Sequence, residues 1–137
     1  MRSDMQLISI NVGSTRRIEF EGKQFSTGIF KFPVAGSVAV SLTQIQGDGQ
    51  ADLESHGGAD KAVYLYPLEH YSFWRKELGE AIEELGSFGE NFTAQGMLEE
   101  DICIGDTFKV GSTIVQVTQP RTPCYKLAAR LNRVDLP

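Results

Sequence analysis

Pro120 and Pro123 are the strongest constraint on this chain. They lie in the stretch Gln119-Pro120-Arg121-Thr122-Pro123-Cys124-Tyr125-Lys126. Each proline locks φ and removes a backbone donor, so the stretch can be neither the interior of a helix nor a central strand. It reads as a stiff, extended loop that holds Cys124 in a set direction between Arg121 and Lys126. Two fixed positive charges favour the thiolate form of a flanking thiol, and thiolate is a soft metal ligand. The competing reading is a buried cysteine acting as a small hydrophobe.

With 137 residues, the chain has the length of one domain and can bury a real core. Its net charge of -5 argues against nonspecific nucleic-acid binding, which needs a basic face. An anionic small molecule held by a local cluster of cations remains compatible with that charge. Cys103 and Cys124 are too few for a disulfide scaffold. No apolar run is long enough for a signal peptide or a membrane span, so the expected location is the cytoplasm, with reduced thiols.

Short β-type runs dominate the first third. Leu7, Ile8, Ile10 and Val12 form one; Arg16 to Phe20 and Lys23 to Phe25 flank a Glu21-Gly22 turn. Ile29, Phe30 and Phe32 follow, closed by Pro33, and Val38, Val40 and Leu42 alternate as a half-buried strand. From Gly47 to Lys61 the chain turns polar and glycine-rich, which predicts an irregular surface loop. Beside His56, Gly57 and Gly58 would let backbone amides approach an anion closely, although paired glycines also serve simply to turn a chain. Asp48, Asp52 and His56 recur at intervals of four, but in such a loop that interval carries no helical register and gives little support to a metal site.

Residues 62 to 66 predict a buried strand, and Pro67 a helix start. Leu68, Tyr71, Trp74 and Leu78 supply the apolar stripe of that helix, and Gly79 ends it. His70 is compatible with a surface position as much as with a site. A second glycine-rich loop, Gly86 to Phe92, contains Asn91, whose amide offers both donor and acceptor. Phe108 and Val110, then Val115 and Val117, read as a hairpin around Gly111-Ser112, and Tyr125 to Leu131 as the beginning of a helix.

Several motifs recur together in order: His56-Gly57-Gly58 with Asp60-Lys61-Ala62-Val63, Tyr66-Pro67 with Glu69-His70-Tyr71, and Gly86-Ser87-Phe88-Gly89-Glu90-Asn91. Ile104-Gly105-Asp106 and Gln119-Pro120-Arg121 with Pro123-Cys124 complete the set, and Thr27-Gly28-Ile29-Phe30-Lys31 and Gly47-Asp48 also fit. Over nearly its whole length the chain thereby resembles the MOSC domain, the molybdenum cofactor sulfurase C-terminal domain, and within it the stand-alone bacterial YiiM-like subgroup. The resemblance implies a mainly β fold with short helices, barrel-like, as a single MOSC domain over residues 1–137. Chains of that subgroup continue past the helix that ends here, so the C-terminal part of the family domain is expected to be absent. The chain is then expected either to pair with another copy, as a homodimer, or to be a piece of a longer protein.

The resemblance also implies the molybdenum cofactor (a molybdopterin complex), with Cys124 as molybdenum ligand. The associated activity is reduction, and so detoxification, of N-hydroxylated bases and related small molecules, with electrons from a donor protein. On this reading Arg121 would bind the pterin phosphate as a fork, and Lys61 or Lys126 as a point charge. Asn91 and the amides near Gly57 and Gly58 would meet the pterin's polar edge. His56 is the candidate proton donor, since an imidazole titrates near neutral pH. Two alternatives stand beside the reductase. One is a sulfur carrier, with Cys124 as a persulfide, or a cofactor-binding module without turnover. The other is a Cys-His hydrolase using Cys124 with His56 or His70; it is disfavoured because no feature supplies an acyl pocket.

Overall fold

The computed structural model describes residues 5–36, 38, 40, 45–49, 63–82, 85–120, 127, 130 and 131. The architecture is mainly β, with one α-helix among the described elements. Strand β1 (Gln6–Val12) is the hub of a four-stranded sheet. On one side it pairs antiparallel with β4 (Phe32–Pro33); on the other it pairs antiparallel with β6 (Phe92–Gln95). The strand β5 (Leu65–Pro67) adds to β6 in parallel, giving the order β4-β1-β6-β5. Two hairpins accompany this sheet: β2 (Arg16–Phe20) with β3 (Lys23–Thr27), and β7 (Thr107–Val110) with β8 (Thr113–Gln116). Among the described residues these sheets do not close into a barrel.

The hairpins follow from their turns. Glu21 and Gly22 both take positive φ, 54° and 76°, which is the primed geometry whose twist matches paired strands. In the second hairpin Phe108 faces Val115, and both are half-buried while Lys109 and Ile114 point outward, the expected period of two.

Parallel strands need a long crossover, and here it carries the helix α1 (Glu69–Leu78) between β5 and β6. Tyr71 is buried on it, with Leu68, Trp74 and Leu78 packed around, as the stripe predicts. Glu69 stands in the first turn, and Gly79 ends the helix at φ 62°. Pro67, however, is the last residue of β5 rather than the first of the helix. Edge strands tolerate proline because one side of their ladder is unpaired, and β5 is an edge.

The core brings Tyr71 and Ile82 together with Phe88 and Leu131. Its centre is aromatic: Phe88 lies 4.6 Å from Tyr66, 5.1 Å from Tyr71 and 6.1 Å from Trp74, centroid to centroid. Aromatic pairs at such separations add about 0.5–1.5 kcal/mol each beyond area burial. At the end of the described chain Leu127, Arg130 and Leu131 are helical. The Arg130 guanidinium lies 5.2 Å and 5.3 Å from the Phe30 and Phe32 rings, and Arg16 approaches the same rings at 4.6 Å and 5.8 Å. These contacts tie the C-terminal segment to the sheet beside β4.

The strand expected through Val38, Val40 and Leu42 is described only in part. Val38 and Val40 are half-buried, Val40 bridges Ile45, and Leu42 lies outside the described residues. The surface-loop expectation for Gly47 to Lys61 is corrected at its beginning. Ile45, just before it, has 0% exposure, and the Asp48 side chain is fully enclosed. Residues 50–61 of that stretch lie outside the described residues.

Candidate functional site

Where β1 ends beside β6, polar side chains are buried together. Asn11, Glu90, Asn91 and Thr93 are each at most 1% exposed. Burial on this scale requires complete hydrogen bonding, and the distances supply it. The Asn11 amide N–H donates to the Asn91 carbonyl at 2.6 Å, while Asn91 Nδ2 donates back to the Asn11 carbonyl at 3.2 Å. Asn11 Nδ2 donates to the Glu90 carbonyl at 3.2 Å and to Thr93 Oγ1 at 3.1 Å.

Asn91 is the sequence-predicted cofactor contact that falls within the described residues. Its Nδ2 also donates to Asp48 Oδ2 at 3.0 Å, and its Oδ1 accepts from the Tyr64 amide at 2.9 Å. Both donor hydrogens are therefore used inside the protein. As a direct donor to a pterin edge Asn91 does not fit; the structure makes it a junction between segments.

Asp48 carries the second part of the cluster. Its Oδ1 accepts from Lys31 Nζ at 2.6 Å and from the Gly13 amide at 3.1 Å. The Lys31 and Asp48 side chains are 7% and 0% exposed, so this is a buried ion pair. Such pairs roughly break even against an apolar replacement, but losing one partner typically costs about 3–5 kcal/mol. Sequence reasoning did not single out this pair, nor Asn11. The available signal was weak: Lys31 and Asp48 lie in two short motifs that fit the family pattern.

Glu90 forms the third part. Tyr71 donates its hydroxyl to Glu90 Oε2 at 2.5 Å, Thr93 Oγ1 donates to the same oxygen at 2.9 Å, and the Phe88 amide donates to Oε1 at 3.1 Å. Burial pushes the Glu90 carboxyl above the usual carboxylate range, and these donors pull it only part of the way back. Burial, reinforced by the neighbouring Glu90 charge, holds the Tyr71 phenol well above its ordinary value. Tyr66 is raised to about 12, mainly by burial.

Cys124, His56, Arg121, Lys126, Lys61, Gly57 and Gly58 lie outside the described residues. His70 is on α1, with Nε2 placed 2.9 Å and 3.2 Å from the two carboxylate oxygens of Glu99 and its ring 5.4 Å from Tyr66. Cys103 is exposed. Among the described residues no group of three or more potential ligands could hold a metal ion, and no helix is long and apolar enough to cross a membrane.

The MOSC domain model matches residues 52–137, more than half of the chain. The chain belongs to the MOSC domain family. It is 47% identical over 124 residues to the uncharacterized protein YflK of Bacillus subtilis (strain 168), covering 90% of this chain and 56% of that one. To protein YiiM of Escherichia coli (strain K12) it is 41% identical over 118 residues, 85% of this chain and 52% of that one. A Gibberella moniliformis protein named reductase is 34% identical over 127 residues, 90% of this chain and 22% of its own. The crystal structure of YiiM from Geobacillus stearothermophilus superposes with a TM-score of 0.73 at 41% identity, over 97% of this chain and 60% of that one. This MOSC domain is therefore YiiM-like in both sequence and fold. It spans about half the length of the two bacterial relatives.

Proposed function

We propose that this MOSC domain binds the molybdenum cofactor through Cys124 and serves the reduction of N-hydroxylated bases or related N-oxygenated compounds. The observation that carries the reading is the family match over residues 52–137, which spans both the His56 and the Cys124 motifs. The relative named reductase favours electron transfer to a substrate over sulfur carriage.

The donor set suits the cofactor. Cys124 supplies a soft thiolate for molybdenum, while Arg121, Lys126 and Lys61 supply cations for a phosphate. When bound, the cofactor supplies two-electron chemistry. The substrate's N–O bond breaks, two electrons and two protons are taken up, and the products are the amine-type base and water. In this reaction His56 delivers a proton to the departing oxygen. Arg121 and the lysines would hold the cofactor by its phosphate, with Cys124 as the ligand to its metal. Asn91 contributes by holding backbone rather than by touching the pterin. The two electrons come from a donor protein.

Elemental analysis of protein expressed in a host that makes the cofactor tests the reading. Wild type is expected to retain molybdenum and, with reduced methyl viologen as donor, to reduce an N-hydroxylated nucleobase. Cys124→Ser is expected to lose activity with the fold intact, and Cys103→Ser to change it little. Equal activity of wild type and Cys124→Ser at matched molybdenum content would rule the ligand role out.

A further inference from the structure

The Asn91 bonds have a property beyond satisfying buried atoms. The amide's two ends point to two different parts of the chain, Oδ1 to the Tyr64 N–H and Nδ2 to Asp48 Oδ2. Asp48 and Tyr64 stand on either side of residues 50–62, the segment that contains His56, Gly57, Gly58 and Lys61. The backbone of Asn91 repeats the grip on one side, donating to the Tyr64 carbonyl at 2.7 Å. On the other side Asp48 is locked by Lys31 and by the Gly13 amide. One side chain, 1% exposed, thus spans the base of the whole segment.

We propose that Asn91 is a positioning residue that clamps residues 48 and 64 together, and so fixes the two positions that flank the His56 stretch in sequence. The geometry demands an amide at this position. A carboxylate would keep an acceptor for Tyr64 but face the Asp48 carboxylate with no donor, and an aliphatic residue would serve neither side. The link to catalysis rests on the reading given under the proposed function. The clamp itself rests only on the hydrogen bonds.

Asn91→Asp separates a clamp from general support, because it removes the Nδ2 bonds to Asp48 and to the Asn11 carbonyl and spares the bond that Oδ1 accepts from Tyr64. Site-resolved amide hydrogen exchange is measured on the full chain under native conditions. The Asp48 and Gly49 amides are expected to exchange at least about tenfold faster than in wild type, since the buried bonds from Asn91 Nδ2 to Asp48 and to the Asn11 carbonyl are both lost, while Tyr64 stays within about twofold. Asn91→Ala is expected to release both sides. If Asn91→Asp does not fold, Asn91→Ala is read against Ile82→Val, a core change that removes none of the Asn91 hydrogen bonds, at matched thermal stability. The Ile82 variant should then leave Asp48, Gly49 and Tyr64 unmoved relative to the other protected amides. Acceleration of every amide by one common factor, or of none, would overturn the clamp. Molybdenum content is read in the same samples, and a fall in Asn91→Asp but not in Ile82→Val supports the positioning role. Wild type without molybdenum would sink the cofactor reading and leave the exchange result to decide the clamp by itself.

Discussion

Glu90 has no exposed surface, and the three donors around its carboxyl are the Tyr71 and Thr93 hydroxyls and the Phe88 amide. Its folded pKa is raised, so in the window between the ordinary carboxyl value and the raised one the native state binds a proton that the unfolded state has released. The contribution of Glu90 to stability is then fully present below the ordinary carboxyl pKa and is lost as pH rises through the folded value. Denaturation of wild type and Glu90→Gln across pH should show the advantage of wild type largest in acid and shrinking toward neutrality; a gap that widens with pH would contradict this sign. At the proposed cofactor site, Arg121→Ala should weaken cofactor binding by about 1.5–3 kcal/mol if the guanidinium makes a charge-assisted bond to phosphate. Arg121→Lys should recover only part, since a point charge lacks the bidentate fork. Titration of the three proteins checks it, and unchanged affinity in Arg121→Ala removes that residue from the site.

At the scale of elements, the turn that leads from the helical crossover into β6 is held by close approach of backbones. Gly86 has φ 89°, and a Cβ there would come within 2.7 Å of the Lys31 carbonyl oxygen and 3.1 Å of Asn11 Cβ. Gly22, at φ 76° in the β2–β3 turn, has nothing within 4 Å of such a Cβ. Both positions disfavour alanine through φ, so Gly22→Ala should cost about 1 kcal/mol. Gly86→Ala should cost clearly more, because backbone must also move. Urea denaturation of the two variants makes the comparison, and equal losses would mean that the contact with Lys31 relaxes freely.

At the scale of the molecule, two-stranded ribbons are marginal on their own, and β7–β8 pairs only with itself among the described strands. Ile104 and Ile114, in the turn before this hairpin and on its outer face, are 69% and 73% exposed. Edges and apolar faces of this kind gain from being covered, by a second copy or by further chain. If a second copy covers this face, Ile114→Lys is expected to reduce self-association of the chain with little change in its melting temperature, because Ile114 is exposed. Sedimentation and thermal melts of wild type and Ile114→Lys decide it. Identical sedimentation of the two proteins would refute cover of this face by a second copy.

Local chemistry made much of this protein legible in one dimension. The primed turn at Glu21-Gly22, the hairpin at Gly111-Ser112, the stripe of Leu68, Tyr71, Trp74 and Leu78, and the stop at Gly79 each depend on neighbours within a few residues. The family motifs, including the one around Cys124, are likewise strings of adjacent residues. Pro67 misled because its local preference for a first helical turn was overridden by a place on a sheet edge, which only β6 defines. The partnership of Lys31 with Asp48 left only a weak trace in two family motifs, and the enclosure of Glu90 and the double grip of Asn91 were not legible at all. Asn91 lies 27 residues from Tyr64, 43 from Asp48 and 80 from Asn11 along the chain. A charged or amide side chain looks solvated until the fold removes water from it, and which partner then satisfies it is decided by how β1, β6 and the crossover are stacked. Residue chemistry alone determined the turns, the helix face and the family; the burial and pairing of the polar cluster were decided by tertiary structure, because desolvation is a property of the assembled molecule.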